Sequence, residues 1–152
     1  MKLSRSDIKL LALLQQDAGL SQVELAERSG LSRTSVWRRV RDLEGAGLIR
    51  GQVVLLDPKK AGFHIRVLLA VALTEHTDQN RDSFESHMIS LPEVIECFSA
   101  SGDRDYVLQI VARSMEDYDR FLNAKVLKHP AVQSANSTFV LRDVKYSTAL
   151  PL

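Results

Sequence analysis

The feature that most narrows the possible folds lies in the second half of the chain, where strand-type and helix-type patterns alternate in a fixed order. Residues 66–73 are apolar and β-prone, and residues 78–90 are polar with Phe84, Met88 and Leu91 at helical spacing. Residues 94–100 read as a strand, Ser101-Gly102-Asp103-Arg104 as a turn and residues 106–112 as a second strand. Residues 116–127 present Tyr118, Phe121, Leu122 and Val126 along one helical side, and residues 131–141 close the series as a strand. The order is β-α-β-β-α-β, and it echoes itself. Leu91-Pro92-Glu93-Val94 and His129-Pro130-Ala131-Val132 stand 38 residues apart, each joining a helix to a strand. Interleaved split βαβ units of this order give a ferredoxin-like sandwich, a four-stranded antiparallel sheet with two helices on one face. In about 85 residues the other sheet face stays uncovered, and an apolar bare face is usually hidden by a second subunit. A dimer is expected.

The first fifty residues follow a different period and read as three short helices. Ile8, Leu10, Leu11 and Leu14 repeat at helical spacing, with Ser6 or Asp7 as the cap. Asp17-Ala18-Gly19-Leu20 interrupts them. Ser21 then stands three residues before Glu24, the reciprocal capping arrangement, ahead of Val23, Leu25 and Ala26. Ser29-Gly30-Leu31 is a tight turn, after which Ser32 caps a third helix with Val36, Val40 and Leu43 in one stripe. Gly45 and Gly47 end it, and a short strand over residues 48–56 runs up to Asp57-Pro58. The chain is expected to be α+β, with a helix-turn-helix of winged type over residues 1–50, a hinge strand and linker over 51–62, and the sandwich over 63–152.

Charge is unevenly shared between these parts. The net charge is only +1, yet residues 1–50 carry nine Lys or Arg against six Asp or Glu, and the remainder carries eleven against thirteen. From Arg28 to Arg41 there are five arginines and no acid, which points to a polyanion-binding part joined to a part with another task. Other classes find little support. The longest apolar run, residues 67–73, is far short of the roughly 20 residues a membrane-spanning helix needs. Asp7 stands where a signal peptide would begin its apolar stretch. Cys97 is alone, which excludes an internal disulfide and a cysteine-based zinc site, and is read as a small core side chain. His64, His76, His87 and His129 lack metal-ligand spacing, and no G-x-S-x-G, P-loop or G-x-G-x-x-G occurs. The pair Asp117 and Asp119 reads as the wet face of a helix. We therefore expect no enzyme, no cofactor, no metal and no membrane, and a cytoplasmic, nucleoid-associated location.

Two groups of residues carry the functional expectation. Residues 21–44 have the layout of a helix-turn-helix whose second helix projects Arg33, Thr34, Ser35, Trp37, Arg38, Arg39 and Arg41 away from the apolar stripe. The B-form major groove admits one α-helix; arginines along it neutralise phosphates while Arg, Ser and Thr near its start reach base edges. Ser32 leaves backbone N–H groups at the positive helix end, a site suited to phosphate, and Ser21 and Gln22 complete the candidate DNA contacts. The plainer reading is a solvated charged helix. Trp37 reads first as a packing residue, and Arg39, beside the stripe, is also placed to pair with Glu24 or Glu27. The second group is Ser101, Gly102, Asp103, Arg104, Asp105 and Tyr106, placed between the two central strands. Glycine there lets backbone approach a ligand, and carboxylates with Arg104 match the ammonium and carboxylate of a free amino acid. Residues alone favour a plain hairpin turn. Asn136, Ser137 and Thr138 are polar within an apolar strand, which solvent exposure also explains.

Taken in order, these pieces resemble the Lrp/AsnC (leucine-responsive, feast/famine) transcriptional regulators of bacteria and archaea. The resemblance is carried by Asp7-Ile8 and the first-helix leucines, Val23-Glu24-Leu25-Ala26, Gly30-Leu31-Ser32, Val36-Trp37-Arg38-Arg39-Val40 and Leu43-Glu44 with Gly47-Leu48-Ile49. It continues through Leu56-Asp57 with Gly62, Gly102-Asp103-Arg104-Asp105-Tyr106 and the ending Thr148-Ala149-Leu150-Pro151-Leu152. It implies a DNA-binding helix-turn-helix hinged to a ferredoxin-like sensor (RAM) domain, dimers that join through their sheets, and tetramers or octamers built from them on double-stranded DNA. It also implies an effector, usually an amino acid, at the turn of residues 101–106 with help from Asn136 and Thr138, which reverses the plain-turn reading. Two alternatives stay open: an effector-independent architectural DNA-binding protein, and a small-molecule-binding sandwich without DNA recognition.

Overall fold

In the computed structural model, which describes residues 2–152, helix α1 (Arg5–Gln16) starts from Ser4 rather than from Ser6 or Asp7. Asp7 occupies the third helical position, where the Asp7 N–H donates to Ser4 Oγ at 3.2 Å and the Ser4 N–H donates to the Asp7 carboxylate at 2.9 Å. A reciprocal cap of this kind fixes the start more firmly than a lone serine. Helix α2 (Gln22–Ser29) opens with the expected Ser21/Glu24 capping box and closes at left-handed Gly30. Helix α3 (Arg33–Gly45) is capped by Ser32. Leu10 and Val36 are wholly buried, with Leu25 and Ala26 beside them and Leu13, Leu14, Leu20, Leu31 and Val40 around the edge. Each fully buried Leu or Val contributes roughly 1.5–3 kcal/mol, so this small core rests on few side chains.

The strand expected over residues 48–56 does not form. The segment is extended without a ladder partner, and Val53, Val54, Leu55 and Leu56 lie exposed. A strand needs a neighbour to take its N–H and C=O groups, and among the described residues no other segment pairs with it. After it, Asp57 accepts from the Lys59 and Lys60 N–H groups and starts a helical turn closed by Phe63 N–H to Pro58 O at 2.8 Å.

The remaining elements are β1 (Ile65–Leu73), α4 (Asp78–Ile89), β2 (Val94–Ser99), β3 (Tyr106–Ala112), α5 (Met115–Phe121) and β4 (Val132–Phe139). The sheet order is β2-β3-β1-β4, with every pair antiparallel, the ferredoxin-like arrangement. Strand β3 shows the two-residue alternation: Tyr106, Leu108, Ile110 and Ala112 are buried, with Val107, Gln109 and Val111 less so. The buried rows of β1 and β3 share one core with Phe84, Met88, Tyr118, Phe121 and Val126 from the helical layer. The sequence echo is a structural one. Leu91 N–H to Met88 O and Val94 N–H to Leu91 O on one side are matched by His129 N–H to Val126 O and Val132 N–H to His129 O on the other. The last helix departs from expectation: it breaks after Phe121 into a π-helical turn, Leu122–Val126, where Leu127 N–H reaches back five residues to Leu122 O.

The chain divides into two compact units, residues 56–143 forming one. The other takes the N-terminal helices and also Val144–Leu152, which the sequence assigns to the second domain. Gln15 explains the grouping: its side-chain amide donates to Leu150 O at 3.2 Å and accepts from Leu150 N–H at 2.6 Å, treating the tail as a strand-like partner for α1.

Candidate nucleic-acid interface and ligand turn

Helix α3 owes its two faces to its period. Val36 and Leu43 are buried and Val40 is half-buried, and the opposite side is polar. On that exposed side Arg33, Trp37 and Arg41 follow one another at one-turn spacing, with Thr34 and Arg38 alongside. Among the described residues, Arg33, Arg38 and Arg41 form no ion pair. Trp37 does not pack inside: it is 49% exposed, and the Arg41 guanidinium lies 5.4 Å from its ring centre. That geometry holds Arg41 by cation–π attraction and leaves an apolar edge outward. Ser32, Thr34, Ser21 and Gln22 are exposed and Ser35 half-buried; Ser21 Oγ is already engaged by Glu24.

Arg39 departs from the set. Its guanidinium turns back to α1, meeting Asp7 at 2.8 Å and Ser4 Oγ at 3.2 Å, and its Nε is buried without a partner among the described residues. Neither Glu24 nor Glu27 is its partner. The Ser4 hydroxyl and amide, with Arg39 behind them, hold the Asp7 carboxyl below its ordinary value, so the pair stays charged. Arg39 therefore fastens the two helices together and is not aligned with the exposed arginines.

The turn after β2 joins an edge strand to a central one, not two central strands. Gly102 has φ +129°, which L-residues with a Cβ avoid. Ser101, Gly102 and Asp103 are exposed. Asp105 points inward: it accepts from Leu73 N–H at 2.8 Å and meets His76 Nδ1 at 3.0 Å. Arg104 donates to Ser134 Oγ at 2.9 Å. Tyr106 faces the helical layer instead, its hydroxyl donating to Glu85 at 2.6 Å and its ring 4.8 Å from Phe84. Burial and then Glu85 push its pKa up, which keeps the phenol neutral. On the open sheet face Ser134, Asn136 and Thr138 oppose Ala72, Ala70 and Leu68 of β1 in steps of two. The sequence reading missed Ser134 and His76; the alternation with Asn136 and Thr138 already put Ser134 on their face.

Both units match known families. Residues 3–50 match the winged helix-turn-helix DNA-binding model, and residues 66–150 match the Lrp/AsnC ligand binding domain. This chain belongs to the Lrp/AsnC family. Among Lrp/AsnC-type relatives, the glutamate uptake regulatory protein of Zymomonas mobilis is 40% identical over 151 residues, covering 99% of this chain and 92% of that one. The DNA-binding transcriptional activator DecR of Escherichia coli K12 is 35% identical, with 99% of both chains covered. A transcriptional regulator from Neisseria meningitidis, solved as an L-Met complex, superposes with TM-score 0.95 at 35% identity, covering 99% of this chain and 97% of its own. The protein is a DNA-binding transcriptional regulator of the Lrp/AsnC family with a ligand-binding domain. No helix among the described residues is long and apolar enough to cross a membrane.

Proposed function

We propose that this Lrp/AsnC regulator reads promoter DNA through the exposed face of α3, and that a free amino acid bound at the turn of residues 101–106 sets its assembly or its grip on DNA. The observation that carries the DNA half is the row of Arg33, Arg38 and Arg41, without an ion-pair partner among the described residues, around exposed Trp37 and Thr34. Arginines with no carboxylate partner are available to neutralise phosphates, and Thr34 near the helix start is placed for base edges. The ligand half draws support from exposed Gly102 beside Arg104, Ser134 and Asn136, and from the L-Met bound to the Neisseria relative. Residues 1–50 then serve as the DNA-binding domain, 51–62 as the hinge and 63–152 as the effector and assembly domain. The working form is at least a dimer, extended to a tetramer or octamer, acting where the chromosome lies and catalysing nothing.

Selection of bound duplexes from a random pool, with and without a mixture of amino acids, tests both halves. A defined motif whose occupancy shifts with the mixture is expected. Recovery of duplexes without common sequence would favour the architectural reading, and no salt-dependent retention of duplex would end the DNA assignment.

A further inference from the structure

The ligand-binding unit contains a cavity of about 450 Å3 at the end of β3 remote from the effector turn. Tyr106 begins β3 at the turn and Ala112 ends it at the cavity; seven strand residues at about 3.3 Å each separate the two by roughly 20 Å. Its apolar lining is Pro92, Ala112, Phe121 and Ala124, with Ala112 and Phe121 buried and Pro92 and Ala124 exposed toward the opening. Two small residues, Ala112 and Ala124, leave the space open. Ala124 and Lys125 come from the π-helical turn that interrupts the last helix, and such widened turns recur at binding sites.

The mouth carries groups that are held but unpaired. Arg113 lies over the Phe63 ring at 4.9 Å. It passes close to Gly62, where an added Cβ would stand 2.7 Å from its Nη1, and the φ of +89° at Gly62 itself calls for glycine. Among the described residues, Arg113, Lys125 and Glu93 form no side-chain ion pair, whereas Arg120 is tied to Asp117 at 3.1 Å. Cations and a carboxylate at the rim of an apolar hollow of this size match a small zwitterion with an apolar tail.

We propose that this cavity is a second ligand site, taking a free α-amino acid with an apolar side chain. Its carboxylate meets Arg113, its ammonium meets Glu93, and its side chain lies against Phe121 and Ala124. The proposal rests on the reading of the chain as an amino-acid-responsive regulator, but it concerns a site distinct from the turn. A pre-placed guanidinium favours the bidentate carboxylate contact because little freedom is lost on binding.

The test is a titration of the full-length assembly, methyl-labelled at alanine, with L-leucine and separately with 4-methyl-2-oxopentanoate, which lacks the ammonium group. Saturable shifts of the Ala112 and Ala124 methyls with L-leucine are expected, weaker with the oxo acid. Arg113→Gln should raise the half-saturation point at these methyls by about tenfold or more and leave the Ala100 methyl, beside the turn, responding as before. Ala124→Trp should fill the hollow and silence Ala112. If Ala112 and Ala124 stay silent while Ala100 responds, the second site is wrong and the turn stands; if Ala112 responds unchanged in both variants, the second site is wrong. A cavity closed by a second copy gives that same silence. If Ala100 is silent and the cavity responds, the turn fails and the cavity stands.

Discussion

Arg38 and Arg39 are neighbours in sequence with opposite fates, because one residue along a helix is a 100° rotation. Arg38 lies exposed, while Arg39 is tied to Asp7 and Ser4. Arg38→Ala should therefore weaken binding to any duplex and reduce the slope of log affinity against log salt by about one. Arg39→Ala should leave that slope intact and instead lower unfolding stability by about 1.5–3 kcal/mol, the usual worth of hydrogen bonds to charged groups. Denaturant melts beside salt-dependent binding isotherms separate the two, and equal slope changes would put Arg39 back on the DNA face. At this scale the sequence was half legible. Helical spacing shows which residues flank the stripe, but the partner of Arg39 sits 32 positions away on another helix. Trp37 is a similar case: its size argues for burial, and only the packing of α1 and α2 around Val36 leaves it outside.

Among the elements, the junctions from α4 to β2 and from the π-helical turn to β4 repeat one hydrogen-bond pattern, and the second brings His129 against His87 of α4. His129 lies stacked 5.2 Å from His87, accepts from Ala131 N–H at 3.3 Å and stands beside Ser83. Burial first, and the His87 ring second, hold His129 below the ordinary value of 6.5. A histidine whose folded value is depressed binds its proton more readily when unfolded, so its contribution is complete above about pH 6.5 and is lost as pH falls below that. The thermal midpoint of the ligand-binding unit should drop between pH 7 and pH 5, and His129→Gln should flatten that drop. An unchanged profile in the variant would place the titrating group elsewhere. The element sequence was nearly all readable from period and caps. The exceptions are the hinge, where a strand pattern has no strand to pair with, and the last helix, where apolar spacing continues smoothly through a turn that widens.

For the molecule as a whole, the open face of the sheet is the main unfinished surface. Phe98 is 54% exposed there and Leu68 39%, with Val107 and Ala70 between them across the paired strands. Leu68→Lys with Phe98→Glu should reduce the sedimenting species toward monomer while leaving the secondary structure intact; an unaltered profile would move the dimer contact off the sheet. An amino acid acts on regulation only through a difference in affinity between assembly states, typically 1–3 kcal/mol. L-methionine should thus shift the sedimentation profile, and Gly102→Val, which forces a branched side chain into φ +129°, should blunt the shift. Asp105→Asn, which keeps an acceptor for Leu73 N–H, should preserve the fold. The sequence by itself determined the β-α-β-β-α-β order, the three N-terminal helices with the caps of α2 and α3, and the acid-free arginine stretch, because each element is set by spacing within a dozen or so residues. The tertiary structure alone decided that Asp105 and Tyr106 turn into the molecule, that the tail from Val144 on keeps company with α1, and that a cavity opens beside Arg113. Those outcomes depend on groups far apart in the chain meeting in space, and no local period encodes such a meeting.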